Sequence, residues 1–187
     1  GFIIIITSCS KDPVPVTDIS LDKTDATVQV GATVNLSAFI TPADADNKKV
    51  NWTSDDETVA TVANGVVTGV SLGSATITAT SEADALIKAT CSVLVTPSTG
   101  QVINVSGDIT ENTTWYAAAK YMLSGFVYVK NNATLTIEPG TLIKGVSNTK
   151  AALIIERGSK IMAEGTSTQP IVFTSDKPKG ERASGDW

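Results

Sequence analysis

Histidine is absent from this chain of 187 residues, and cysteine occurs only twice. Histidine is the commonest general base and the commonest transition-metal ligand. Its absence excludes Ser-His-Asp sites, Cys-His sites and histidine-based zinc sites within this segment. The sequence also has no run of about 20 apolar residues, so it predicts no transmembrane helix. We expect these residues to contain no catalytic group, no metal ligand and no cofactor site.

Clustered positive charge is missing as well. The chain has 14 basic and 19 acidic residues, a net charge of −5, without the basic patch that nucleic acid binding requires. Short alternating runs rich in threonine, valine and isoleucine recur, and no long stretch has helical periodicity. The length fits two domains of about 100 residues each. We therefore predict an all-β chain of two domains, without a nucleic acid partner.

The run Phe2-Ile3-Ile4-Ile5-Ile6-Thr7-Ser8-Cys9 is apolar, and polar residues follow it at once. It resembles the lipobox of a bacterial lipoprotein signal peptide, which accepts residues of the types of Ile6, Thr7 and Ser8 before the cysteine. The resemblance implies cleavage before Cys9, lipidation of its sulfur and attachment to a membrane, where two or more lipid chains anchor a protein stably. The alternative is a buried N-terminal strand, because isoleucine favours strands.

The second cysteine, Cys91, has no disulfide partner if Cys9 is lipidated. Alternation along its segment places Ala89, Cys91, Val93 and Val95 on one face of a strand. A free cysteine is most often a small buried hydrophobe, and a reactive thiol is the less favoured alternative because no histidine is present to activate it. We predict that Cys91 is buried and structural.

Residues 16–96 have the spacing of strands and turns that is typical of a β-sandwich. Asn64-Gly65 supplies the left-handed conformations that a tight hairpin turn requires. Alternation buries Trp52 and places Ala75, Ile77 and Ala79 on one inward face. The seven predicted strands are Asp18 to Leu21, Thr33 to Ile40, Val50 to Thr53, Val59 to Val62, Val66 to Val70, Ala75 to Thr80 and Ala89 to Val95.

These residues resemble the bacterial Ig-like domain, group 2, in both order and spacing. The resemblance implies an extracellular sandwich that serves as a spacer, stalk or adhesion module and has no catalytic activity. The matching segments are 16–21, 31–36, 50–56, 58–62, 64–70 and 73–79.

The pattern changes to a repeat beyond the short linker. The segment Leu135 to Thr141 is echoed 18 residues later by Leu153 to Ser159, and again by a segment that starts at Ile171. A fixed period with a strand and a turn is typical of a β-solenoid, in which each rung, meaning one coil of the chain, packs on its neighbours. The period predicts two inward columns, and Trp115 with residues 126–129 is predicted to cap the first rung. The columns are Leu135, Leu153 and Ile171, and Ile137, Ile155 and Phe173.

This part resembles the parallel β-helix segments of large surface proteins of the Bacteroidetes type, on residues 125–129, 135–140, 165–175 and 185–187. The predicted fold is therefore all-β, an Ig-like β-sandwich followed by a partial parallel β-helix, with more rungs expected beyond residue 187. The predicted organisation is a signal peptide remnant over 1–8, a lipidated tether over 9–15, an Ig-like domain over 16–96, a linker over 97–100, and a cap with the first rungs of the β-helix over 101–187.

Two groups of acidic residues raise other possibilities. Glu138 and Glu156 occupy equivalent positions in the 18-residue repeat, which would put them about 4.8 Å apart on adjacent rungs. Carboxylates at about that separation serve retaining glycosidases, but alternation points Glu138 to water, with Arg157 and lysines as expected charge partners. Residues 55–57, with Asp44 and Asp46, offer carboxylates for calcium, although their spacing does not fit a calcium loop.

Two functions fit this sequence. The first is a non-catalytic lipoprotein of the cell surface, in the outer membrane, whose β-helix presents a binding surface to an extracellular glycan or protein. The alternative is a polysaccharide-degrading lyase or hydrolase with catalytic rungs beyond residue 187.

Overall fold

The computed structural model describes residues 12–183 and Asp186. The described residues form two compact units, and the chain passes from the first to the second between Thr96 and Pro97. Their regular elements are strands, and none of the described residues belongs to a helix long and apolar enough to cross a membrane. The strands are β1 Asp18–Leu21, β2 Asp25–Gln29, β3 Thr33–Asn35, β4 Ala38–Thr41, β5 Val50–Ser54, β6 Ala60–Ala63, β7 Val66–Gly69, β8 Gly73–Ser81, β9 Lys88–Thr96, β10 Val102–Ile109, β11 Thr113–Trp115, β12 Lys120–Val129, β13 Thr134–Ile137, β14 Leu142–Gly145, β15 Ala152–Ile155, β16 Lys160–Ala163 and β17 Val172–Ser175.

The first unit is an Ig-like sandwich. One sheet has the strand order β2-β9-β8-β5, a second has the order β3-β7-β6, and β1 pairs with β4. Alternation along β8 and β9 turns every second side chain inward, so Ala75, Ile77 and Ala79 are buried with Cys91 and Val93, as predicted. Trp52 is partly buried and packs against this core.

The predicted hairpin at Asn64-Gly65 joins β6 to β7. Both residues have positive φ, 50° and 79°, and the flanking pair Ala63 and Val66 is in antiparallel register. A side chain at Gly65 would clash with the backbone, because an added Cβ would lie 2.5 Å from the carbonyl oxygen of Leu36. The Leu36 N–H donates to the Gly65 carbonyl at 2.8 Å, so the turn also fixes the chain after β3.

Two strand predictions in this unit were incomplete. Strand β2 was not predicted, and it pairs in parallel with β9, Val28 lying beside Val95. The predicted strand from Thr33 to Ile40 is two strands, because the chain passes from one sheet to another at Leu36-Ser37. Asp22 stabilises this crossing, since its Oδ1 accepts a hydrogen bond from the Ser37 N–H at 2.7 Å.

The second unit is a parallel β-solenoid, and the strand pairs that the structure describes there are parallel. The strands stack on three faces. On the first face lie the start of β10, the start of β12, β14 and β17; on the second lie the end of β10, the end of β12 and β15; on the third lie β11, β13 and β16. Strand β12 serves two faces because it bends next to Gly125, which has a φ of 68°.

The inward columns of the solenoid differ from the predicted ones. Leu135 lies beside Ile161, 26 residues later, and Leu153 lies beside Val127 on another face. On the first face the spacing grows from 18 residues between Ile103 and Tyr121 to 22 and then 30 at the next two rungs. The 18-residue echo therefore relates every second strand, from β13 to β15 and on to the start of β17. The two predicted columns, Leu135 with Leu153 and Ile171, and Ile137 with Ile155 and Phe173, were wrong.

The predicted cap was also wrong. Val127 and Val129 are fully buried between β10 and β15, and Trp115 is 2% exposed in the core of the solenoid. The solenoid begins earlier than the sequence repeat, because β10 and β11 already pair in parallel with the next rung.

Candidate binding surface

A row of three charged residues crosses the second face of the solenoid. Lys130, directly after β12, lies with its Nζ 3.1 Å from Asp108 Oδ2 in β10 and 3.6 Å from Glu156 Oε1 after β15. Register causes this contact, because Ile109, Val129 and Ile155 lie side by side. The hydrogen bond to Asp108 raises the pKa of Lys130 above its ordinary value, with a smaller contribution from Glu156. Lys130 therefore lies between two carboxylates, and the three charged residues come from three neighbouring rungs.

Two aromatic residues lie beside this row on the outer side of β12. Val127 and Val129 point inward, so alternation places Phe126, Tyr128 and Lys130 in one outward file. The rings of Phe126 and Tyr128 meet edge to face, with centroids 6.3 Å apart and an angle of 85°. Lys130 Nζ lies 4.7 Å from the centroid of the Tyr128 ring, a cation–π distance. Phe126 remains 53% exposed at the end of the file.

The surface next to Phe126 is open. Ala152 is its neighbour in β15, and β10 has a bulge between Val105 and Gly107 on the other side. Gly107 and Gly125 both have positive φ, and a Cβ added at either would meet no atom within 4 Å. Small residues and a bulge thus leave room for a ligand against the phenylalanine ring.

A local pattern in the sequence indicates the aromatic part of this surface. The alternation Phe126-Val127-Tyr128-Val129-Lys130 has aliphatic residues at every second position and aromatic or charged residues between them. The pattern indicates a strand with an aromatic outer face, but without the register nothing showed that Asp108 and Glu156 flank it.

The predicted pairing of Glu138 with Glu156 was wrong. Glu138 follows β13 on the third face, whereas Glu156 follows β15 on the second, because the repeat does not match the rungs. One Glu138 oxygen accepts a hydrogen bond from the Ala117 N–H at 2.9 Å. Glu156 contacts a lysine, Lys130, as expected, whereas the expected contact with Arg157 is absent from the described ion pairs. Each glutamate thus has a structural contact of its own.

Three of the acidic residues considered for calcium hold neighbouring segments of the sandwich together. Asp55 Oδ1 accepts from the Thr76 N–H at 2.6 Å, and Asp56 Oδ1 accepts from the Thr58 hydroxyl at 2.6 Å and its N–H at 2.9 Å. Asp46 Oδ2 accepts from the Val14 N–H at 2.7 Å. Within residues 12–183 and Asp186, no three cysteine, aspartate or glutamate side chains are grouped so that they could hold a metal ion.

Of the two cysteines, Cys91 is among the residues that the structure describes and Cys9 is not. Cys91 is a fully buried free thiol in β9, and burial raises its pKa, with a smaller contribution from Asp25. A raised pKa disfavours the nucleophilic thiolate, so Cys91 is a structural residue. Cys9 lies outside the described residues, and its lipidation stays a prediction.

Two family models match separate parts of the chain. Residues 15–93 match the bacterial Ig-like domain (group 2), and residues 107–187 match the pectate-lyase like beta helix domain. The matches lie on the sandwich and on the solenoid respectively.

Matches to individual proteins cover short stretches. A 3-O-alpha-D-galactosyl-alpha-L-arabinofuranosidase of Bifidobacterium longum subsp. longum is 55% identical over 60 residues, which is 32% of this chain and 5% of that protein. An alpha-L-arabinofuranosidase of the same subspecies is 52% identical over 67 residues, 35% of this chain and 6% of that protein. The chain thus spans about a twentieth of the length of these two relatives.

Among solved structures, domains 1–6 of the surface layer protein SbsC resemble 50% of this chain over 14% of their own length. The TM-score is 0.40 and the sequence identity 28%. The family matches and the strand topology together give the conclusion that this chain carries a bacterial Ig-like domain of group 2 followed by a pectate-lyase-like β-helix domain.

Proposed function

We propose that this protein is a non-catalytic lipoprotein of the bacterial cell surface. Cys9 carries the lipid in the outer membrane, the Ig-like domain serves as a spacer or adhesion module, and the solenoid presents a binding surface to an extracellular glycan or protein. The observation that carries the proposal is the order of the parts. A run resembling a lipobox ends at Cys9, an Ig-like domain matches from residue 15, and a parallel solenoid follows.

The side chains of the described residues support a structural role. Asp46, Asp55 and Asp56 accept hydrogen bonds that close loops of the sandwich, and Glu138 and Glu156 bind neighbouring rungs of the solenoid. Carboxylates held in this way stabilise loops of the sandwich and connect neighbouring rungs of the solenoid. The exposed aromatic and charged file on the second face is the part of the solenoid with the chemistry of a binding surface.

Anchoring is tested by substituting each of the two cysteines in the full-length protein in its native host. Cys9→Ser removes the lipid acceptor, so this variant is expected in the soluble fraction while the wild type sediments with the outer membrane. Cys91→Ala is the matched control and is expected to stay with the membrane, because Cys91 is buried in β9. A Cys9→Ser protein that still sediments with the outer membrane would contradict the proposal.

A second candidate function is an enzyme of polysaccharide breakdown whose catalytic rungs lie beyond residue 187. It is favoured by the matches to two proteins named as arabinofuranosidases and to the pectate-lyase like family. The test is incubation of the full-length protein and of residues 1–187 with arabinogalactan, followed by chromatography of released sugars. Release by the full-length protein alone favours this second function, and release by neither favours the non-catalytic one.

A further inference from the structure

We propose that Phe126 and Tyr128, with the charged row Asp108-Lys130-Glu156, form a stacking site for a neutral glycan on the second face of the solenoid. The proposal rests on the proposed function, because it names the ligand class of the binding surface described there.

The exposed ring supplies the first element of such a site. Phe126 is 53% exposed although it lies within a strand, and Val127 next to it is fully buried. The face of an aromatic ring carries negative charge density, so it attracts the weakly polar C–H groups on one side of a sugar ring. The edge-to-face contact with Tyr128 fixes the orientation of the Phe126 ring before a ligand arrives.

The charged row supplies the second element, which is hydrogen bonding at a fixed distance from the ring. Asp108 and Glu156 each meet Lys130 through one carboxylate oxygen, and the side chains of both are 45% exposed. Their second oxygens can accept hydrogen bonds from sugar hydroxyls. A few placed polar groups beside an apolar surface are the usual composition of a small-ligand site.

Access supplies the third element. Ala152 lies beside Phe126, Gly125 precedes it in the chain, and Gly107 lies beside Val127 in the neighbouring strand, so these positions add little side-chain volume near the ring. A Cβ added at either glycine would face open space. A protein partner would need about 1,000 Å² of complementary surface, whereas two rings and a charged row fit a few sugar units.

The balance of charge selects the type of glycan. The row contains two carboxylates and one ammonium group, so it carries one net negative charge. Like charges in contact repel one another. The site therefore disfavours polymers of uronic acids and favours neutral sugars.

The test uses residues 1–187 with two probes, neutral arabinogalactan and anionic polygalacturonate, in isothermal titration. We expect binding of arabinogalactan and an affinity for polygalacturonate that is about tenfold weaker or undetectable. Phe126→Ala is expected to weaken arabinogalactan binding about tenfold. Phe39→Ala is the matched control, because Phe39 is 57% exposed on the Ig-like unit and should leave binding unchanged. Thermal unfolding checks that both variants remain folded.

A second variant tests the role of charge. Asp108→Asn combined with Glu156→Gln changes the net charge of the row from −1 to +1 and is expected to raise the affinity for polygalacturonate.

The inference is overturned if the wild type does not bind arabinogalactan, if Phe126→Ala binds it as the wild type does, or if the double variant shows no increase in affinity for polygalacturonate. A dimer that Phe126→Ala abolishes would also overturn it by assigning the patch to a second copy. Membrane release of Cys9→Ser is independent of Phe126, so these failures are distinguishable from failure of the proposed function.

Discussion

Trp115 and Tyr121 stack in the core of the solenoid, with ring centroids 4.7 Å apart and ring planes 15° apart. Both residues are 2% exposed. Because Trp115 lies in β11 and Tyr121 in β12 of the next rung, their contact stabilises the packing of one rung on the other. The Tyr121 hydroxyl accepts a hydrogen bond from the Tyr116 N–H at 2.8 Å. Burial raises the pKa of Tyr121 to about 12, which keeps the phenol neutral over the physiological range.

Substitutions of this pair should separate packing from hydrogen bonding. Trp115→Ala leaves a cavity and is expected to lower the free energy of unfolding of the solenoid by about 3–5 kcal/mol. Tyr121→Phe keeps the ring and removes one hydrogen bond acceptor, at a cost of about 1 kcal/mol. Urea unfolding followed by circular dichroism measures both, and a larger loss for Tyr121→Phe would contradict the packing account.

The hairpin at Asn64-Gly65 allows a test of backbone strain against steric clash. Gly65 and Gly31 have nearly equal φ, 79° and 80°, but an added Cβ would lie 2.5 Å from Leu36 O at Gly65 and would meet nothing within 4 Å at Gly31. Gly31→Ala is expected to cost about 1–2 kcal/mol from the left-handed conformation alone. Gly65→Ala should cost clearly more in the same urea unfolding experiment, and equal costs would show that the clash is relieved.

The Cys91 thiol should react only when the sandwich opens. In a Cys9→Ser background Cys91 is the single thiol, fully buried and with a raised pKa. We expect negligible reaction with Ellman's reagent at pH 8 in the folded protein and complete reaction in concentrated urea. Rapid labelling of the folded protein would show that β9 is accessible.

Asp56 should make the sandwich less stable in acid. Hydrogen bonds from the hydroxyl and the N–H of Thr58 hold the Asp56 pKa below its ordinary value of 3.8. A lowered folded-state pKa contributes stability above the unfolded pKa, and the contribution is lost as the pH falls through the folded-state value. Asp56→Asn removes the titration, so the decrease in unfolding free energy from pH 7 to about pH 3 should be smaller than in the wild type. An unchanged decrease would contradict the role of Asp56.

Local patterns predicted the sandwich well because its signals lie close together in the chain. The alternation of Ala75, Ile77 and Ala79 and the turn at Asn64-Gly65 depend on a few adjacent residues. Strand β2 was missed because turn-forming residues precede it and its partner β9 lies more than 60 residues away. Parallel pairing over such a separation leaves no local signature.

The register of the solenoid could not be predicted from the sequence, for a different reason. The repeated strand and turn at Leu135 and at Leu153 are alike in sequence but lie on different faces. The rungs differ in length, and the longest spacing on the first face, between Ile143 and Phe173, includes the long loops before β15 and β17, so no single period describes them. The site around Lys130 depends on that register, since Asp108, Lys130 and Glu156 come from three rungs.

Intact mass spectrometry of the mature N-terminus tests the central claim most directly. The account predicts that the protein isolated from its native host begins at Cys9, with a mass increase that corresponds to lipid chains on that residue. An unmodified Cys9, or a mature chain that retains Gly1 to Ser8, would contradict it.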